Sequence, residues 1–228
     1  MADSLELSAH TRRAFGAMAD DLARVFGARL TALVAYAPDR AAAFVTSIDA
    51  ADLDALSVLA DAWHKSQLHT PLLLTVEEFS RSLDAFPLEY QAILDRHVVI
   101  AGIAPFSALT VNAAELRRAC ETKAKGHLIH LRQSWIEAAG HTHELEHRLA
   151  ESAMPLRVLL TQVARLAGAD GRDPAAFAAA QLGADAEILR AVLNLETHPD
   201  QAHGLLAKLP AYLTACEHIW NFVDGWRA

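Results

Sequence analysis

The segment His143-Glu144-Leu145-Glu146-His147 matches H-E-x-x-H. On a helix, two histidines four residues apart stand on one face and can share a zinc ion, with the glutamate as base. A zinc hydrolase built on His143, Glu144 and His147 is therefore one reading. Glu146 counts against it, adding a charge where zinc peptidase helices are usually uncharged. Ala150 and Ala153 stand where the extended motif has Gly and His, and no third ligand is evident on a following helix. The segment is expected to be a solvated helix face without metal. His127, His130, His141, His143 and His147 crowd one region. His127 falls on a core stripe. The others are expected on the surface, where they can bind a metal adventitiously or titrate near neutral pH.

A second set of residues is basic. Arg117, Arg118, Lys123, Lys125 and Arg132 lie on one helical stretch, with Arg117–Glu121 and Glu121–Lys125 spaced for i, i+4 pairs. They make either a paired, solvated face or, if Arg117 or Arg132 points into a cleft between domains, a site for an anionic ligand. G-x-S-x-G, P-loop and G-x-G-x-x-G patterns are absent. Cys120 and Cys216 are the only cysteines and form no C-x-x-C pair, so neither a disulfide framework nor a cysteine zinc site is indicated. Both fall in helical patterns and read as small core residues.

The elements that position these residues follow from periodicity. Ser8 to Phe26 reads as an amphipathic helix, capped by Ser8 and ended by Gly27. Leu30–Ala37 and Ala41–Ile48 are strand-length apolar runs joined by a turn at Pro38-Asp39-Arg40. Asp49 opens a helix whose buried face is Leu53, Leu56, Leu59, Ala60 and Trp63. Residues 71–75 form a third strand, and Thr75 with Glu78 a capping box. Residues 85–94 and 97–101 are expected as a fourth and a fifth strand. After Gly102 and Pro105 the pattern is helical. Asn112 caps a helix with Leu116, Cys120, Ala124, His127, Leu131, Trp135 and Ala138 on one face, ended by Gly140. Helices follow from His143 to Leu166 with a kink at Pro155, from Pro174, over 185–196, and over 199–223 with a kink at Pro210. The expected fold class is α+β: an α/β domain over residues 1–111, with its N-terminal helix 8–26, then an all-α bundle over 112–228.

Several blocks in this order resemble a group of bacterial nucleotidyltransferase-like proteins of the polymerase-β superfamily. Ser82, Asp84, Phe86, Pro87 and Glu89 stand as S-x-D-x-F-P-x-E, and Gly102 closes a short strand. Leu116, Arg117, Cys120 and Glu121 stand as L-R-x-x-C-E, followed by Leu131, Arg132 and Gln133 and by the run RVLLTQVARLAG over 157–168. The resemblance covers about residues 30–210. It implies a small mixed sheet with flanking helices followed by a helical bundle. In active members it implies a Gly-Ser at the end of the first strand holding a triphosphate. Two carboxylates one residue apart open the next strand and hold Mg²⁺, and a third deprotonates the acceptor.

This chain departs from that pattern where the chemistry sits. The first strand ends Tyr36-Ala37-Pro38 and the second opens Ala41-Ala42-Ala43-Phe44. Asp39 is the one acid nearby, and a lone loop carboxylate reads as a turn residue. The resemblance then implies a degenerate member that has lost nucleotide transfer, needs no cofactor, and acts as a ligand-binding or protein-interaction module, with Arg117 and Arg132 as ligand-binding candidates. The alternative is an active enzyme transferring a nucleoside monophosphate to a small molecule or protein. It would use Mg²⁺ and nucleotide through displaced carboxylates at Asp39, Asp84 and Glu89.

Composition narrows the partners. With 53% hydrophobic and 21% charged residues the chain is globular, not disordered. A net charge of −8 lacks the basic footprint of a general nucleic-acid binder. No charged-then-apolar leader opens the chain and no apolar run approaches the ~20 residues that span a bilayer, so the cytoplasm is the expected compartment and no membrane contact is expected. Exposed apolar surface around Trp220, Phe222 and Trp226 would mark a homodimer.

Overall fold

The computed structural model describes residues 5–107, 109–138 and 142–226. The chain divides into two compact units, residues 1–111 and 112–228. The first is α+β. Its N-terminal helix α1 (Ala9–Phe26) is capped by the Ser8 hydroxyl, which accepts from the Thr11 amide, and Gly27 at φ 55° ends it. A 3-10 turn leads into the hairpin β1 (Leu30–Ala37) and β2 (Arg40–Val45). Then come α2 (Ala50–Ser57), α3 (Ala60–Lys65), β3 (Leu72–Thr75), α4 (Val76–Arg81), α5 (Pro87–Asp95) and β4 (Val98–Gly102).

The four strands make one mixed sheet in the order β3-β2-β1-β4. β1 is antiparallel to β2 and β4, and β2 is parallel to β3. Strand alternation sends Leu33, Ala35, Ala43 and Val45 to one face, against Phe15, Met18 and Leu22 of α1 with Leu56 and Trp63. It sends Ala32, Val34, Ala42 and Phe44 to the other, against Phe79 of α4 and Tyr90 and Ile93 of α5. Phe44 meets Phe79 and Phe106 edge-on, at centroid distances of 5.1 and 5.4 Å.

Two expectations for this unit are corrected. Residues 85–94, expected as a strand, form α5, so the sheet has four strands. Pro87 at the first helical position favours the helix, and Tyr90 and Ile93, three apart, present one face to the sheet. The single helix after Asp49 is two short helices, and Leu53 is 53% exposed while Leu56 and Trp63 are buried. Asp49 and Asp52 do form a capping box there, and Thr75 with Glu78 forms another at α4. Asp52 also holds Arg29 through two bonds of 2.7 and 2.6 Å, tying the start of β1 to α2. That guanidinium, then burial in the opposite sense, leaves its carboxyl below the usual range.

The second unit is helical. α6 (Ala113–Glu137) is capped by Asn112, and α7 (Thr142–Leu166) carries Pro155 within it. α8 (Pro174–Leu182), α9 (Ala186–Asn194), a 3-10 stretch (Pro199–Lys208) and α10 (Leu209–Asp224) follow. The last of these was expected as one kinked helix. Instead the turn before Pro210 is 3-10, which leaves proline in the first turn of α10, where its missing N–H costs no bond. The buried face of α6 is Leu116, Cys120, Ala124, Leu128, Leu131 and Ser134. Trp135 lies off it, 37% exposed, and Gly140 falls outside the described residues.

Two glycines separate backbone need from simple propensity. Gly102 has φ 72°, and a Cβ built there collides with the Thr31 carbonyl oxygen. Gly16 sits inside α1 with nothing within 4 Å. Gly102→Ala is expected to destabilise the chain by about 2 kcal/mol or more. Gly16→Ala is expected to stabilise it by about 0.5–1 kcal/mol. Urea unfolding of both variants beside the parent checks the pair.

Candidate functional site

The β1–β2 turn carries a polar cluster. Ala37 pairs with Arg40, so only Pro38 and Asp39 connect the strands. The Asp39 carboxylate meets His69 Nε2 at 3.1 Å, and its main-chain carbonyl accepts from the His69 amide at 2.9 Å. Arg40 Nε is 3.9 Å from the other carboxylate oxygen. Tyr36 is half-buried beside them. Burial raises its phenol above the ordinary value, Asp39 adds to this and Arg40 opposes it. The turn thus gathers a phenol, a carboxylate, a guanidinium and an imidazole. Asp39 occupies Nε2 of His69, which leaves Nδ1 for a ligand.

Past the turn, Ala41, Ala42 and Ala43 are fully buried in β2, divided between the two core layers. Among the described residues no group of three or more His, Cys, Asp or Glu can hold a metal ion. Asp39, Asp84 and Glu89 therefore do not form such a three-donor group. Asp84 is exposed between α4 and α5, and Glu89 is exposed in the first turn of α5. The block that includes them is a joint between helices. Ser82 Oγ donates to the Glu78 carbonyl at 2.5 Å to close α4, and the Phe86 ring lies tilted against Tyr90 at 5.6 Å as Pro87 opens α5.

Arg117 and Arg132 of α6 have partners inside their own unit. Arg117 Nη1 donates to the Trp226 carbonyl at 2.9 Å and to Glu121 at 3.3 Å. Arg132 Nη2 donates to Glu217 at 2.7 Å. In the H-E-x-x-H segment the side chains pair along and across the helix. Glu144 accepts from Arg148 at 2.7 Å, and His147 faces Glu151 at 3.3 Å. His143, 98% exposed, lies 3.5 Å from Glu146, which is held at 2.7 Å by His203 of the 3-10 stretch. That His203 bond is the main reason the Glu146 carboxyl sits below the usual range. His141 lies outside the described residues.

His69 and His203 carry no local sequence signal, since their partners lie 30 and 57 residues away. Tyr212 is likewise silent in sequence. It is fully buried and bonds His127 Nε2 at 2.6 Å. Burial pushes the Cys120 and Cys216 thiols up to about 12, so neither is a thiolate near neutral pH. Trp220, Phe222 and Trp226 are half-buried. Lys125 Nζ stands 4.2 Å over the Trp220 ring, and Phe222 packs on Trp226 at 5.6 Å. No helix among the described residues is long and apolar enough to cross a membrane.

Burial, with lesser repulsion from Lys123 and His130, pushes His127 down from 6.5 to about 4. The folded state refuses a proton that the unfolded chain accepts, so this contribution is complete above pH 6.5 and is lost as pH falls toward 4. Across that window the parent is expected to lose at most ~3 kcal/mol through His127. His127→Gln, which keeps an acceptor for Tyr212, is expected to flatten the slope. Urea unfolding at several pH values between 7 and 4 reads it directly.

No protein-family model matches the chain, and neither a curated protein nor a solved structure is found similar to it.

Proposed function

We propose that this chain is a nucleotidyltransferase-like protein of the polymerase-β superfamily that has lost nucleotide transfer and now binds an anionic, nucleotide-like ligand as a regulatory module. The observation that carries the reading is the β1–β2 junction. The connection is two residues long, the three positions after Arg40 are buried alanines, and the single carboxylate is engaged by His69. A Mg²⁺-dependent transferase needs at least two carboxylates converging on one metal. Among the described residues no group of three or more His, Cys, Asp or Glu gathers where a metal ion could be held, which supports the reading. What the junction does offer is Arg40, the Nδ1 edge of His69 and the Tyr36 hydroxyl, a set suited to one phosphate or carboxylate group.

In this role Arg40 supplies the fixed positive charge, and Asp39 orients the His69 ring. The small mixed sheet and the separate helical unit agree with the coarse architecture that the resemblance implies.

Calorimetric titration with ATP, GTP, CTP and UTP, with and without Mg²⁺, tests the reading. Binding is expected without metal dependence, weakened about tenfold by Arg40→Ala and by added salt. Binding that strengthens strongly with Mg²⁺, or transfer of a nucleoside monophosphate to any acceptor, would restore the active-enzyme reading. No binding to any nucleotide would remove the ligand assignment.

A further inference from the structure

α6 has a second regular face. Opposite its buried residues, Ala119, Thr122, Gly126, Ile129, Gln133 and Ile136 recur at spacings of three and four. Helix geometry sets them in one strip about 25 Å long. None is charged, yet Ile129 is 41% exposed and Ile136 77%. At the middle of the strip stands Gly126, whose absent side chain has nothing within 4 Å. Glycine inside a helix is destabilising relative to alanine. The chain's own packing makes no steric use of it, whereas a second helix laid on the strip would, because a small residue lets two helix backbones approach closely.

The flanks identify the kind of helix. Arg118, Lys125 and Arg132 recur every seven residues along one side, and Lys123 and His130 along the other. Arg132 is held by Glu217 and Lys125 lies over Trp220. Arg118 and Lys123 make no ion pair among the described residues. Of the acids beside them, Glu121 is held by Arg117 at 3.3 Å, Glu137 lies 3.7 Å from Arg148, and Glu115 stands in the first turn of α6. This is a basic margin in a chain of net charge −8. We propose that this face of α6 docks an amphipathic helix of a partner protein whose apolar stripe is bordered by Asp and Glu.

The same charges exclude the other occupants. Two copies of the face would set Arg118, Lys123 and Lys125 against one another, and like charges across an interface oppose pairing. A bilayer surface rewards large apolar side chains, and here Gly126 and Gln133 separate two isoleucines. The inference goes beyond the reading of the β1–β2 turn and does not depend on it.

The test uses the whole chain and a fluorescein-labelled helical peptide with leucine on its stripe and glutamate on both margins, followed by anisotropy. A lysine-margined version is the control. The acidic peptide is expected to bind about tenfold more tightly than the basic one, with affinity falling as salt is added. Ile129→Glu, Ile136→Glu and Gly126→Gln are each expected to weaken it about tenfold. The two isoleucine variants should keep the parent Tm and circular dichroism, since both side chains face solvent. Equal binding of the two peptides, failure of the acidic one to bind, or indifference to these substitutions overturns the proposal. So does concentration-dependent self-association removed by Ile136→Glu, which assigns the face to a second copy. Co-sedimentation with phosphatidylserine vesicles removed by Ile136→Glu overturns it in favour of lipid.

Discussion

The hairpin β1–β2 is buried on both faces, and this constraint governs the first unit. From Ala32 to Ala35 and from Ala41 to Val45 every side chain is essentially inaccessible. One layer is closed by α1 with Leu56 and Trp63, the other by α4, α5 and Phe106. A strand buried on both sides loses the polar–apolar alternation of a half-solvated one, which is why LTALVAYA and RAAAFV read as continuous apolar runs. The same burial acts on chemistry. A carboxylate at Ala41 or Ala43 would enter the layer against α1, without a partner and at a cost of several kcal/mol. The three alanines fit a strand that is core on both faces.

Sequence reasoning succeeded where a signal was local. Ser8, Asp49, Thr75 and Asn112 each carry a cap that the structure contains. Each is a side chain bonding an amide two or three residues on, so a short window holds both partners. β1 begins and ends where its apolar run does. Residues 85–94 failed because Phe86, Leu88, Tyr90 and Ile93 satisfy strand composition, and only Pro87 with the three-residue spacing of Tyr90 and Ile93 favours a helix. The turn cluster was legible only in part. Asp39 could be placed in a turn, but its partner His69 arrives from the segment before β3, and no local pattern encodes that approach.

In the second unit, long-range polar bonds tie the helices to one another, one of them in the interior. Tyr212 is fully buried with its hydroxyl on His127, and the neutral imidazole is the form that can accept that proton. Arg157 reaches Glu196 at 2.5 Å and the Leu193 carbonyl at 2.9 Å, joining α7 to the end of α9. His218 bonds the Gly183 carbonyl at 2.8 Å, where α8 ends in a left-handed residue. These bonds fix register between helices whose apolar faces are rich in leucine and alanine and so discriminate weakly between alternative packings.

α6 joins two demands on one helix. Its inner face follows ordinary core logic, with leucine, cysteine and alanine against α7 and α10. Its margins follow electrostatic logic, since Arg132 and Lys125 are held by Glu217 and Trp220 of α10. The strip between those margins follows neither. Fold stability alone would favour alanine at Gly126 and a charged or polar residue at Ile136, because the first raises helix propensity and the second removes an exposed apolar side chain. Both positions lie on the face directed away from the core, at the spacing of a coiled-coil seam, and both departures disappear once a second helix covers them.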